Sequence, residues 1–353
     1  MDPRLERFIR EMPKVELHLH LEGTVRPATL LALAQRHRVE LPAWDAETLT
    51  RWYQFTSFRH FLDIWLTVLS CLREPADFTR VTRELGEEAA RQHVHYLEAI
   101  FTPATHQRYK GMSYDDVWAG IREGAATVQR ELGVRMQFIA DVPRNRRPGS
   151  DGAVEATVEW AVAHRDEGLV AVGLGGAEAD NPPELFAEIF RHAKAHGLRV
   201  YPHAGETVGA ESVWGAVRAL GADRIAHGVR AVEDDALLRH LAAHGIACDV
   251  CPTSNVRLGV YPSHAHHPIR RLLAAGVPVT IGSDDPGLFQ TSLTDELIAL
   301  ARVHAFTAPE LSDLVRRAVD VSFTSKTEKT ALRTRVDAEI EAALRETGAE
   351  GAS

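Results

Sequence analysis

Short runs of β-branched and apolar residues recur along the chain, and between them apolar positions return every three to four residues. The first pattern suits buried strands, the second amphipathic helices. Strands are expected at "VELHLHL" (15–21), "VHYLEAIFTP" (94–103), "RMQFIADVP" (135–143) and "LVAVGLGG" (169–176). Four more are expected at "RVYPHAG" (199–205), "RIAHGV" (224–229), "ACDVCPT" (247–253) and "PVTIGSDD" (278–285). Segments such as "PELFAEIFRHAKAHG" and "EDDALLRHLAAHG" lie between them, each closing on the glycine that commonly stops a helix. Eight strands alternating with helices predict an α/β chain folded as a (β/α)8 TIM-type barrel. A doubly wound open sheet is the alternative. It lacks a glycine-rich phosphate fingerprint after its first strand, and "GLGGAE" matches GxGxxG poorly.

The first connection is longer than one crossover helix needs. Residues 24–92 hold three helix-like segments, expected to form a lid-like insertion over the barrel mouth. Further helices are expected over about 309–346, followed by a frayed "GAEGAS" tail. No internal repeat or low-complexity linker divides residues 1–353, so a single catalytic barrel domain is expected.

Composition narrows the partners. A net charge of −9 with dispersed basic residues leaves no nucleic-acid footprint. No apolar run is long enough for a membrane span, and the N-terminal "MDPRLERFIREMPK" has no apolar centre of a signal peptide. Three cysteines, Cys71, Cys248 and Cys251, make no disulfide framework, so a cytoplasmic protein acting on a small molecule is expected. Oligomeric state is not legible. Eighteen histidines are many for this length, and their positions carry the chemistry.

In a strand, His18 and His20 point to the same face. Barrel enzymes place their chemistry at the C-terminal ends of strands, a rule that sorts the remaining candidates. His203 and Glu206 follow strand 5, His227 ends strand 6, and Asp284 and Asp285 end strand 8. Three imidazoles and a carboxylate suit one Zn²⁺ and leave a position for water, whose pKa the ion lowers from about 15.7 towards roughly 7. His227 is placed to position that water and Glu206 to act as general acid, with one aspartate a ligand and its neighbour facing substrate. Metal-assisted hydrolysis at an sp² carbon is the reaction class. The same rule rejects His93 and His95, which begin strand 2 on the opposite rim. His264, His266 and His267 fall in a loop, where His264 or His267 could line the mouth. Cys248 and Cys251 diverge as buried thiols, being three residues apart in a strand.

In order along nearly the whole chain, "ELHLHLEG", "GLGGAE", "HAGE", "RIAHG", "CPTSN" and "SDDP" resemble the adenosine deaminase family of zinc aminohydrolases. The resemblance implies that His18, His20, His203 and Asp284 bind zinc. It also implies that Glu206 protonates purine N1, His227 orients the attacking hydroxide at C6, Asp285 bonds N7 and the Gly176 backbone bonds N3. Two departures bear on substrate. Glu22 stands where adenosine deaminases have an aspartate bonding the ribose 5′-hydroxyl, and Ile100 replaces an arginine. "HLEGT" is similar to the branches acting on adenine or 6-aminodeoxyfutalosine. Arg144, with Arg146 and Arg147 beyond it, is expected near the rim, where a guanidinium matches a carboxylate on a 5′ extension. The expected substrate is therefore adenosine or a 5′-extended adenosine, with free adenine the alternative. A catalytically silent purine-binding relative is the reading from another class.

Overall fold

The computed structural model describes residues 1–55 and 58–350. The last three residues of the expected frayed tail thus lie outside the described residues. Eight parallel strands lie in sequential order: β1 (Lys14–His20), β2 (Val94–Phe101), β3 (Arg135–Pro143), β4 (Leu169–Gly175), β5 (Arg199–Ala204), β6 (Arg224–His227), β7 (Ala247–Val250) and β8 (Val279–Ile281). Each pairs in register with the next, as in β2 on β3 from Tyr96↔Arg135 to Phe101↔Ala140. The seam between β8 and β1 closes through residues beyond the end of β8. His20 donates its N–H to the Asp284 carbonyl at 2.7 Å, and Asp284 donates to the His18 carbonyl at 3.1 Å. With helices between the strands, this is the expected (β/α)8 barrel.

The later strands are shorter than expected, for local reasons. β6 stops at His227, where the chain turns left-handed through His227 (φ 63) and Gly228 (φ 67). β7 stops before Cys251 because Pro252 opens a helix, Pro252–Arg257, at the position where a missing N–H costs nothing. β8 stops before Gly282, where any Cβ would overlap the His18 backbone.

Between β1 and β2 stand four helices, Pro27–His37, Ala46–Trp52, Phe58–Cys71 and Pro75–Arg91. Phe61 of the third stacks on Phe289 just after β8, ring centroids 5.6 Å apart. The insertion therefore reaches the C-terminal end of the barrel. After β8 run Leu293–His304, Ala308–Val321 and Lys326–Thr347, one helix more than the span 309–346 suggests. Ser325 and Glu328 cap the last of these reciprocally. An inner layer of Ile100, Ile139, Ala171, Tyr201 and Ala226, drawn from β2 to β6, fills the barrel. Arg224 lies buried within reach of this layer, 2.6 Å from Glu98 and 2.5 Å from Asp249.

Candidate active site

His18 and His20 leave β1 on the same side and meet His203 from β5 and Asp284 from the loop after β8. His20 Nε2 is 3.2 Å from His203 Nε2 and 3.3 Å from Asp284 Oδ1, and His18 Nε2 is 3.7 Å from the same oxygen. A tetrahedral ion bound at 2.0–2.1 Å has ligand–ligand edges of about 3.3–3.4 Å, so the spacing fits one divalent cation. His18 Nδ1 bonds the Asp249 carbonyl at 3.0 Å, while its Nε2 is buried with no hydrogen-bond partner. A backbone acceptor on one ring nitrogen leaves the other's lone pair aimed at an ion. Burial holds all three imidazoles below their ordinary pKa, in the neutral form that binds metal. Asp284 is itself left-handed (φ 62), a conformation costly outside glycine that turns its side chain back over the site.

Three further groups converge here. His227 Nε2 lies 3.6 Å from Glu206 Oε1 and 3.8 Å from Asp284 Oδ2. Burial pushes the Glu206 carboxyl well up, and the charges of Asp284 and Glu178 add to the effect. Burial takes His227 down to about 3, so it is neutral. Asp285 is raised well above its usual range by burial and by Asp284, Glu22 and Glu206, and its Oδ1 has no partner. Gly23 makes room for that oxygen, which any Cβ there would overlap. Gly176 follows β4 at φ 111, open to glycine and strained for other residues.

Two expected substrate contacts have neighbours within the protein. Arg144 directly follows β3, at the C-terminal rim. Its N–H is tied to the Gly175 carbonyl at 2.8 Å, and the fully buried guanidinium faces Glu178 Oε1 at 3.7 Å. Arg146 pairs with Asp151, and Arg147 reaches the Asp180 carbonyl at 3.5 Å. Glu22 is buried too. Its Oε1 accepts from His106 Nε2 and from the Thr102 N–H, both at 2.9 Å. Thr102 and the helix it opens, Pro103–Lys110, thus occupy one oxygen of a carboxylate expected to face substrate.

Of the rejected candidates, His95 and Cys248 have partners of their own and Cys251 does not stand apart. His95 pairs with Glu339 of the last helix at 2.5 Å. Cys248 packs under Gly228. Cys251 is a free buried thiol whose sulfur lies within 4.8 Å of ring nitrogens of His18 and His227, nearer the site than its spacing suggests.

Some contributors lie within the quoted motifs but carry no expected role there. Glu178 accepts N–H bonds from Gly205 (2.7 Å), Glu206 (3.1 Å), Thr207 (2.6 Å) and Val208 (2.9 Å), and hydroxyl bonds from Thr207 and Ser212. One buried carboxylate thus holds the whole turn that carries Glu206. Asn255 stands behind His227, and His267 behind Asn255. In sequence, Glu178 and Asn255 close the motifs "GLGGAE" and "CPTSN"; the fold shows what each of them holds.

Comparison with known proteins agrees with this geometry. A family profile described as adenosine deaminase matches residues 13–339. An aminodeoxyfutalosine deaminase of Streptomyces avermitilis is 38% identical over 94% of this chain and 92% of its own. An adenine deaminase of Rhodospirillum rubrum is 36% identical over 94% of this chain and 98% of its own. Among solved structures, an amidohydrolase from Burkholderia ambifaria, described with bound zinc, superposes with a TM-score of 0.89. It is 28% identical and covers 99% of this chain and 96% of its own.

Proposed function

Because the chain belongs to the adenosine deaminase family, whose members are metal-dependent hydrolases of cyclic C–N bonds, we propose that it replaces the 6-amino group of a 5′-extended adenosine such as 6-aminodeoxyfutalosine. One water enters, ammonia leaves and a 6-oxopurine remains. The observation that carries this reading is the convergence of a buried Glu206 carboxyl pushed well up, His227 and an unpartnered Asp285 oxygen on the histidine–aspartate cluster.

His18, His20, His203 and Asp284 would hold one Zn²⁺. When bound, the ion supplies a water acidified towards neutral pH. Glu206, protonated by virtue of its burial, donates to N1 and makes C6 more electrophilic. Purine N7 can only accept a hydrogen bond. Asp285, also held protonated, is matched to it as a donor. The N–H of Gly176 is assigned to N3, and His227 orients the attacking water. We assign Arg144 to balancing Glu178 rather than to a substrate anion, and Glu22 to fixing the loop after β2. We take the chain as one catalytic unit, its helices between β1 and β2 covering the mouth.

The 5′-extended reading is supported by the Streptomyces avermitilis relative. That relative is 38% identical over 94% of this chain. Free adenine is the second reading. Glu22 has one oxygen already committed and so offers a ribose less than an unoccupied carboxylate would, and the Rhodospirillum rubrum relative is named for adenine. Ammonia release from 6-aminodeoxyfutalosine, adenosine and adenine, compared as kcat/KM on zinc-loaded protein, tests the assignment. The first substrate should lead by at least tenfold. A lead for adenine transfers the proposal to the free base, and no release from any of the three overturns it.

A further inference from the structure

The far side of His227 is built into a chain of side chains. Asn255, fully buried in Pro252–Arg257, places its Nδ2 3.3 Å from His227 Nδ1. His267, 3% exposed, places its Nε2 3.2 Å from Asn255 Oδ1. An amide is directional: its nitrogen only donates and its oxygen only accepts. With the oxygen towards His267, that ring carries its proton on Nε2. The amide nitrogen then donates to a bare Nδ1 on His227, and a neutral His227 must keep its proton on Nε2, the atom facing Glu206 and Asp284.

The reversed amide would put the His267 proton on Nδ1. That atom is buried with no partner. A buried, unpaired N–H is rarer and costlier than an unfilled acceptor, so the first arrangement is favoured. A doubly protonated His227 would set its Nδ1–H against the amide N–H, and a doubly protonated His267 would leave its Nδ1–H buried without an acceptor, so the same geometry keeps both rings singly protonated.

We propose that Asn255 and His267 are positioning residues that hold His227 as its Nε2–H tautomer, so that it steadies the attacking oxygen by donating a hydrogen bond. His227 then neither gains nor loses a proton while the oxygen attacks C6. The kinetic part of this inference rests on the deamination reading; the tautomer itself does not.

The test is ¹⁵N NMR of histidine-labelled, zinc-loaded protein, with the His227 signals assigned by their loss in His227→Gln. Wild type should show a bare Nδ1 and a protonated Nε2. Asn255→Asp offers only acceptors, so it should reverse that pattern and lower kcat by about 10–100-fold, with KM and zinc content little changed. His267→Gln carries an amide N–H close to where Nε2–H stands and should keep both the pattern and the rate. His267→Phe should lose both. A wild-type proton on Nδ1, or a wild-type kcat in Asn255→Asp, overturns the proposal. Should none of the three purines be turned over, the wild-type spectrum still decides the tautomer, and only the deamination reading fails.

Discussion

The role proposed for Glu206 needs a carboxyl that keeps its proton at a higher pH than a solvated glutamate does. Burial and the nearby carboxylates of Asp284 and Glu178 push it well up, the direction that donation to a ring nitrogen requires. Glu206→Gln keeps the shape and hydrogen-bonding reach but has no proton to transfer. Its kcat should fall by about 10²–10⁴-fold with zinc content unchanged by atomic absorption. Substantial retained turnover would remove Glu206 from the reaction. At this scale the metal-type cluster is legible in the chain, because the HxH spacing and the strand-end positions of His203 and Asp284 are properties of sequence. Glu22 and Arg144 are less so. Both stand near strand ends, but what each touches depends on loops elsewhere: His106 and Thr102 for one, Glu178 for the other.

Among the elements, the turn after β5 depends on the turn after β4. Four backbone N–H groups of residues 205–208 converge on Glu178, with Arg144 behind it. Glu178→Ala leaves these donors without their acceptor at a cost of about 1–3 kcal/mol for each that water cannot reach. We expect the urea midpoint to fall by an amount equivalent to at least about 2 kcal/mol, and kcat to fall with it as Glu206 loses its support. An unchanged midpoint would show that water satisfies the turn. The order and number of the strands are legible from apolar periodicity, whereas their ends are not: His227 and Asp284 adopt left-handed backbone that neither residue type announces.

For the molecule as a whole, the decisive place is the seam where β8 meets β1. Besides the backbone bonds of His18, His20 and Asp284, Glu16 of β1 crosses it to accept from the N–H and hydroxyl of Ser283, at 2.9 and 2.5 Å. Burial raises the Glu16 carboxyl to about 7, against an ordinary value near 4.5, while the Ser283 bonds pull the other way. Because its folded value is the higher one, its contribution is full below pH about 4.5 and lost as pH rises through about 7. Glu16→Gln cannot ionise and still accepts from Ser283. Its stability relative to wild type should therefore rise by up to about 3 kcal/mol between pH 4.5 and pH 8, measured as urea midpoints. A difference that stays flat across this range would mean that Glu16 is not held protonated. The seam has a consequence for biosynthesis as well. Its two sides lie 267 residues apart along the chain, so β1 waits for residue 284 to leave the ribosome. At roughly 5–20 residues per second this takes on the order of tens of seconds. Throughout that interval the free edge of β1, with His18 and His20 on it, is open to chaperones and to any stray metal ion in the cell.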